Sequence, residues 1–466
     1  MSTARLPAGR YEAFAAILSN PATHAEAKAI PKQGKYGRRR LYPDYMWVFY
    51  ESAISVCGSA RQVAGELNDP QVWGWIRDLV EGLFPDDPSM HLPAKPMRRH
   101  HYEYGRLYLA HPEYLARRQA IHMEESVKLA LNIGLLDPEG PGSVTHPDLS
   151  RTVYGDGKVI TPLFRAKPGD MRPDRRTGEL VQRRFEPDAS MHFEAGSVEA
   201  YGTKFFLAET RSDEGRVILD ARCVPAKGGG GEAGVATESF ETLAAIAPGI
   251  QAVVYDMAMR GAHIDRLLSS GLLPVVKVPA ASRKARRGAR GGQRVDKERL
   301  IEVKEVTLPD GRTEQVPIYA KDGAPGVGRL NDEGELTFIP IERIRNQRFE
   351  RAGGFRWYAQ YRLPLELGGG EITLRLQGND EDAKKKLNRA ENLRAIPRTD
   401  PDFARLYVRR GDAESLNRAL EDTLYLNRAH SEGHLRQTAD LLGFALMVNS
   451  LTLARHRARE AVKVAA

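Results

Sequence analysis

Three acidic residues occupy positions at which a fold can bring carboxylates together. Asp156 follows the strand-forming run TVY, and Asp256 follows a largely apolar run that begins at residue 250. Glu414 lies in the charged segment 407–421, where a helix would place it one turn after Arg410 on the same face. Carboxylates at two strand ends and a third on a later helix form a set that can bind metal ions.

Carboxylates that converge in a fold repel one another, and divalent cations remove that cost. Mg²⁺ prefers carboxylate and water oxygens, and two such ions about 4 Å apart stabilise both the attacking and the leaving oxygen of a phosphoryl displacement. Cleavage of a phosphodiester in this way needs neither a cysteine nor a covalent serine. The sequence contains no phosphate-binding loop and no dinucleotide-binding fingerprint that would compete with these carboxylates for the function.

The local pattern gives these residues a simpler interpretation as well. Gly155-Asp156-Gly157 separates two strand-forming runs, and Asp-Gly in that place is a strong signal for a hairpin turn. Segment 407–421, taken alone, is typical of a solvated helical face with ordinary spaced ion pairs. The choice between these interpretations and a metal site depends on the rest of the chain.

The composition bounds the class of protein. The chain has 466 residues, 41% of them apolar, which suggests two to four domains with ample core. Its 69 basic and 61 acidic side chains give a net charge of +8, which weakly favours a polyanionic partner. The two cysteines form no Cys-x-x-Cys pair, which excludes a zinc ribbon or finger and favours a reduced, cytoplasmic chain. No signal core and no long apolar run occur, so we expect no membrane partner.

Residues 1–136 are predicted to form short helices with basic connections, a pattern that suits a DNA-binding domain. An early connection carries three candidate DNA contacts, namely Arg38, Arg39 and Arg40. A helical interaction domain with solvated Lys and Arg side chains explains the same pattern equally well. Residues 137–150, with three prolines and two glycines, are predicted to be a linker.

Residues 151–278 are predicted to form the first part of a mixed α/β core. Strands and helices alternate, with a hairpin turn at 212–215 and a strand at each side of a helix over 262–268. The glycine-rich segment 227–234 is predicted to be a flexible linker, because it lacks the Gly-Lys-Ser/Thr ending and no helix follows it directly. Folds of this kind build their sites from residues at strand ends.

Residues 279–385 are predicted to be a basic loop followed by a β-rich insertion. The loop holds candidate contacts to a phosphate backbone, namely Arg283, Lys284, Arg286, Arg287 and Arg290. Alternating residues from 300 to 377 predict strands around turns at 310–311 and 332–334. For Trp357 and Tyr358, burial in the core is favoured over stacking on an extruded base. Residues 386–466 are predicted to be the helical second part of the core, with helices over 402–427 and 435–461.

The spacing Tyr407-x2-Arg410-x3-Glu414 resembles the signature of DDE transposases of bacterial insertion sequences, in the class marked by a Tyr-Arg-Glu-Lys pattern. Asp156 resembles the first Asp of that family and Asp256 the second, and a β-rich insertion between the second Asp and the Glu is also a feature of this class. The chain departs from the pattern at two places. Ala258 stands where the family often has glycine, and Glu421 stands where it has lysine, with Arg418 one turn earlier on the same face.

The resemblance implies a ribonuclease-H-like catalytic core, interrupted by the β-rich insertion and preceded by a helical domain. Asp156, Asp256 and Glu414 would hold two Mg²⁺ ions, which Mn²⁺ can replace. Arg410 would bind a phosphate through both guanidinium nitrogens, and Tyr407 would bind the DNA backbone or pack beneath Glu414. The partners implied are the terminal repeats of a mobile element and target DNA, bound by a homodimer on paired ends in a bacterial cytoplasm, at the nucleoid.

The function expected from this resemblance is metal-dependent hydrolysis of phosphodiesters followed by strand transfer. Two alternatives stay open. The departures at Ala258 and Glu421 are compatible with a domesticated protein that binds DNA without cutting it. A nuclease of the same fold that lacks strand transfer would carry the same carboxylates.

Overall fold

The structure is a computed structural model, and it describes residues 9–32, 39–194, 198–228, 230–278, 298–308, 310–330, 336–426 and 428–465. The chain forms two compact units. The first unit consists of Met1–Leu135, Gly157–Val235 and Ala413–Ala466, and the second consists of Leu136–Asp156 and Ala236–Asp412.

Helices dominate the beginning and the end of the chain. Within the described residues they are α1 (Arg10–Leu18), α2 (Pro21–Ala27), α3 (Tyr45–Cys57), α4 (Ala60–Asn68), α5 (Pro70–Leu83), α6 (Arg99–Leu109), α7 (Pro112–Asn132), α8 (Gly231–Ile246), α9 (Gly261–Ser269), α10 (Asp380–Lys384), α11 (Arg389–Asn392), α12 (Pro401–Tyr407), α13 (Arg410–Leu420) and α14 (His434–Ala465). In this part of the chain, no helix combines the length and the apolar character that crossing a membrane requires.

Strands fill the middle of the chain. The described ones are β1 (Thr152–Ile160), β2 (Met171–Pro173), β3 (Leu180–Gln182), β4 (Ser190–Glu194), β5 (Val198–Arg211), β6 (Arg216–Val224), β7 (Ala252–Val254), β8 (Leu273–Val275), β9 (Arg299–Thr307), β10 (Thr313–Lys321), β11 (Ala324–Leu330), β12 (Leu336–Pro340), β13 (Glu342–Arg351), β14 (Gly354–Arg362) and β15 (Glu371–Arg375). The sheet that contains β1 has the order β4-β5-β1-β7-β8, with β6 paired to β5. The prediction of an α/β protein with a helical N-terminal region is confirmed.

In the first unit, α3 lies at the centre of the apolar core. It packs against α1, α2, α4, α6 and α14, and α14 also packs against β6. Gly105 of α6 allows the closest of these approaches, since a Cβ atom there would lie 2.2 Å from the Trp47 ring. The long apolar face of α14 is therefore covered by the N-terminal helices, which explains why these helices and the last helix form one compact unit.

A group of charged side chains is buried in the core of the first unit. Arg118 donates to Glu26 across 2.7 Å and also to Glu51, and His122 lies 2.8 Å from the second oxygen of Glu26. All four side chains are at most 1% exposed. Charges removed from water at this depth have to be paired, so this cluster ties α2, α3 and α7 together in one arrangement.

The antiparallel hairpin of the first unit was predicted correctly. β5 and β6 pair from Lys204↔Val224 to Arg211↔Arg216, and the turn closes with the Ser212 amide donating to the Gly215 carbonyl at 2.9 Å. The prediction for the glycine-rich segment was wrong, because α8 begins at Gly231, directly within it. Gly230 and Gly231 adopt positive φ angles, and glycine makes this entry into the helix possible without strain.

In the second unit, β1, β7 and β8 form a parallel ladder. Residues 152–154 of β1 pair with 252–254 of β7, and those pair with 273–275 of β8. The hairpin expected at Gly155-Asp156-Gly157 was wrong, since β1 runs through these residues without a break. The Asp-Gly signal is local, whereas the partner of β1 is a strand about a hundred residues later, and this long-range pairing keeps the chain extended.

The β-rich insertion is confirmed in the second unit. β9 to β12 form one antiparallel sheet, and β13 to β15 form another. The turn at 310–311 joins β9 to β10, whereas the turn expected at 332–334 lies outside the described residues. Trp357 is fully buried, and its indole donates to the Leu268 carbonyl at 2.7 Å. Its ring therefore packs in the core, as predicted, and is not exposed for stacking on a base. Tyr358 is half-buried.

Two strands of the insertion were missed from the sequence. β11 has the sequence APGVGRL, whose proline and glycines predict a turn. β13 has the sequence ERIRNQRFER, which offers almost no alternation of apolar and polar residues. Both strands are held by antiparallel neighbours. β11 pairs with β10 and β12, and β13 pairs with β14.

The helix expected over 402–427 is interrupted. α12 ends at Tyr407, α13 begins at Arg410, and a π-helical turn covers Glu421–Tyr425. Gly411, a poor helix former, lies next to the interruption at residues 408–409. The residues expected to share one continuous helical face therefore lie on three consecutive elements.

The segment expected to be a linker has fixed contacts in the second unit. The Arg343 guanidinium donates to the Thr145 carbonyl at 2.7 Å, and the Asn346 amide donates to the Thr145 hydroxyl at 3.1 Å. His146 lies 2.7 Å from an oxygen of Asp402. Residues 137–150 are therefore anchored to β13 and to the start of α12, and they lead directly into β1.

Candidate active site

Asp156 lies within β1, and Asp256 lies in the loop directly after β7, the parallel neighbour of β1. The pairing of the two strands ends with Tyr154 opposite Val254, and each aspartate follows two residues later in the chain. The side chain of Asp156 is 14% exposed, and Asp256 is also half-buried. The second unit thus brings these two predicted carboxylates to one edge of its sheet.

The loop that carries Asp256 is held from both ends. At its start, a carboxylate oxygen of Asp256 accepts a hydrogen bond from the Ala258 amide at 2.7 Å. At its end, Glu391 accepts from the Arg260 guanidinium at 2.7 Å and from the Gly261 amide. Glu391 therefore fixes the entry into α9, and with it the short connection on which Asp256 stands.

Arg410 approaches Asp156 within the second unit. Its guanidinium nitrogen Nη2 lies 3.8 Å from Oδ1 of Asp156, and its side chain is 26% exposed. The ion pair joins α13 to β1 at the aspartate.

Tyr407 lies between an aromatic ring and a cation. Its ring stacks on Phe403 with centroids 4.8 Å apart, and the ammonium of Lys277 lies 4.4 Å from its centroid. Lys277 follows β8, the neighbour of β7, so it emerges at the same edge of the sheet as Asp256. This cation was not singled out in the sequence, although its position after an apolar strand was a usable signal.

The third predicted carboxylate, Glu414, belongs to the first unit. It is exposed on α13, one turn after Arg410 as predicted. Arg418 follows on the same helix, is 85% exposed and lies 3.7 Å from Asp422. Glu421, which stands where the resemblance expects a lysine, lies 2.7 Å from the ammonium of Lys158.

The remaining basic residues predicted to bind DNA divide into two groups. Arg39 is exposed, whereas Arg40 binds both oxygens of Asp44 at 2.8 Å and lies over the rings of Trp47 and Tyr108. Arg40 is thus engaged within its own helical region, which no sequence pattern indicated. The other group lies outside the described residues and consists of Arg38, Arg283, Lys284, Arg286, Arg287 and Arg290.

The donor set at the sheet edge fits a magnesium ion in part. Across the described ranges, no cluster of three or more His, Cys, Asp or Glu side chains is arranged to hold a metal ion. Mg²⁺ is, however, usually held in proteins by one or two carboxylates together with waters and substrate phosphates. Asp156 and Asp256 are the two carboxylates that follow the paired residues of β1 and β7, and Arg410 lies 3.8 Å from Asp156.

Comparisons with known proteins give a weak structural similarity. No protein-family model and no curated protein matches the chain. Among solved structures, it is similar to the piggyBac transposase in a synaptic complex with hairpin DNA, with a TM-score of 0.36 and 10% identity. The similarity covers 96% of this chain and 74% of the transposase chain. At this level it assigns neither a family nor a function to the protein.

Proposed function

We propose that the protein is a DNA transposase that cleaves phosphodiester bonds with the help of divalent metal ions and then joins the freed end to target DNA. The observation that carries the proposal is the pair Asp156, within β1, and Asp256, in the loop directly after its parallel neighbour β7, with Arg410 3.8 Å from Asp156. Glu414 is the proposed third ligand, supplied by α13. The proposed partners are DNA and a second copy of the chain on paired DNA ends.

The arrangement of elements supports a ribonuclease-H-like core as the fold behind this function. The proposed core consists of the mixed sheet around β1, with Asp156 within β1 and Asp256 directly after the parallel strand β7. The two sheets of the insertion, β9–β12 and β13–β15, separate Asp256 from Glu414 in the chain. This order of first aspartate, second aspartate, β-rich insertion and helical glutamate is the order that the sequence resemblance requires.

Each residue of the candidate site has a defined part in the proposed reaction. Bound Mg²⁺ ions would supply activation of the attacking hydroxyl and neutralisation of charge on the phosphate. Asp156 and Asp256 would hold these ions, and Arg410 would orient the phosphate through its planar pair of donors. Glu391 keeps the Asp256 loop in place through its bonds to Arg260 and Gly261.

Cleavage of DNA by matched variants tests the assignment. The substrate is DNA that carries the sequences flanking the gene, incubated with Mg²⁺ or Mn²⁺. We expect Asp156→Asn, Asp256→Asn and Glu414→Gln each to lower the cleavage rate by ~10³-fold, because each loses a metal-binding charge worth several kcal/mol in the transition state. Glu366→Gln is the control. This carboxylate of the second unit is 74% exposed, and its ion-pair partner is Arg329 of β11.

The products of the same reactions distinguish a transposase from a nuclease and from a protein that binds DNA without cutting it. A transposase yields cleaved ends and, when target DNA is present, joined products. Cleavage without joined products would indicate a nuclease instead. Binding without any cleavage by the unmodified protein would contradict the enzymatic proposal. If Asp256→Asn and Glu414→Gln cut as fast as the unmodified protein, the assignment of the site is wrong.

A further inference from the structure

Lys158 stands beside the candidate site on the same strand as Asp156. The two residues are separated by one position in β1, so their side chains project to the same face of the strand. The Lys158 side chain is 22% exposed. β1 thus carries a cation two residues after the aspartate that the proposed function assigns to the metal site.

The partner of Lys158 is Glu421, at the start of the π-helical turn that follows α13. The ammonium and the carboxylate are 2.7 Å apart, and Glu421 is 50% exposed. The turn is closed by the Leu426 amide, which donates to the Glu421 carbonyl five residues earlier at 2.8 Å.

An exposed ion pair of this kind contributes little to stability. Such pairs are worth about 0–1 kcal/mol, because solvent screens the charges and two long side chains lose freedom. What the pair does is join the ammonium on β1 to the acid on the π-helical turn. A polyanion that approaches acidic metal ligands needs cations near its phosphates, and a lysine is a suitable point charge for that contact.

We propose that Lys158 contacts a phosphate of bound DNA, and that Glu421 holds Lys158 in place and competes with the phosphate for it. The inference rests on the proposed function in taking DNA as the polyanion and Asp156 as a metal ligand. It also assigns a role to Glu421, which stands where the resemblance expects a basic residue. In this chain the cation is supplied by β1, and the acid on the π turn is its partner.

The two charges make predictions of opposite sign for DNA affinity. Lys158→Ala is expected to weaken binding and to reduce the slope of log affinity against log salt by about 0.9, the value for one phosphate contact on duplex DNA. Glu421→Gln is expected to strengthen binding several-fold, because it removes the competitor for the ammonium. In the Lys158→Ala background, Glu421→Gln should lose most of this effect, since the two residues act as a pair.

Fluorescence anisotropy of a labelled duplex of about 30 base pairs, measured in EDTA between about 50 and 200 mM salt, tests these predictions. Lys158→Arg, which keeps the charge, should retain the slope of the unmodified protein. The matched controls are Lys463→Ala and Glu460→Gln, an exposed pair with the same 2.7 Å separation at the end of α14. Thermal unfolding of each variant confirms that it is folded.

An unchanged salt slope in Lys158→Ala would overturn the inference. So would an effect of Glu421→Gln that is equal with and without Lys158, or no binding of the duplex by the unmodified protein. Because the experiment measures binding without divalent ions, it is independent of cleavage. A protein that binds as predicted but never cuts DNA would leave the Lys158 contact standing and would contradict only the proposed enzymatic function.

Discussion

Arg410 is the residue whose position is least explained by stability alone. Its ion pair with Asp156 spans 3.8 Å and is partly exposed, a geometry that contributes little free energy to folding. The spacing of Tyr407, Arg410 and Glu414 was readable from the sequence, and so were the two aspartates. The roles of Lys158, Lys277 and Glu391 could not be predicted from the sequence, because each contacts a partner more than a hundred residues away.

The planar guanidinium of Arg410 gives a prediction at the residue scale. If it binds a phosphate through two nitrogens, Arg410→Lys keeps the charge but loses the paired geometry. We expect a decrease in the single-turnover cleavage rate of about tenfold, which corresponds to about 1.4 kcal/mol. Arg329→Lys serves as control, since Arg329 lies 3.7 Å from the exposed Glu366. Equal rates for Arg410→Lys and the unmodified protein would exclude a bidentate contact.

At the scale of the elements, local patterns predicted most strands and helices but not their interruptions. The hairpin β5–β6 and the short strands β7 and β8 follow directly from apolar runs and turn residues. The continuous path of β1 through Asp156 does not, because a parallel partner distant in sequence outweighs the local Asp-Gly signal. This strand matters for the candidate site, because Asp156 lies within it, two residues after its last pairing with β7.

The close approach of α3 and α6 at Gly105 gives a prediction at this scale. Gly105→Ala would place a Cβ atom 2.2 Å from the Trp47 ring, so the helices have to move apart. We expect a loss of about 1–3 kcal/mol in the free energy of unfolding by urea. Gly65→Ala in α4 is the control, because open space surrounds that position and alanine favours the helix by about 0.5–1 kcal/mol. A stabilised Gly105→Ala variant would contradict the described packing.

At the scale of the whole molecule, the sequence could not reveal that the N-terminal helices and α14 share one core. Their apolar faces were visible, but which faces meet depends on contacts more than 300 residues apart, such as the bond from Arg106 to Asp440 at 2.6 Å. The buried cluster around Arg118 belongs to this level as well. Its acids, Glu26 and Glu51, are scattered in the sequence and give no local signal.

The buried cluster predicts a dependence of stability on pH. Burial raises the pKa of the Glu51 carboxyl from 4.5 to about 7, although Arg118 acts against this shift. Between these values the folded state keeps a proton that the unfolded state has released, so the contribution to stability falls as pH rises from 4.5 to 7. Glu51→Gln removes the titrating group. The difference in unfolding free energy between the two proteins should therefore change by roughly 3 kcal/mol between pH 5 and pH 8. Parallel pH profiles would contradict it.

The central claim is that Asp156 and Asp256 form a binding site for divalent metal ions at the edge of the sheet. The most direct measurement is calorimetric titration of Mn²⁺ into the protein bound to duplex DNA. We expect saturable binding that weakens at least tenfold in Asp156→Asn and in Asp256→Asn, since even outer-shell changes at metal sites typically cost about 10–100-fold. Glu366→Gln should bind as the unmodified protein does. Mn²⁺ affinity unchanged by both aspartate substitutions would contradict the claim.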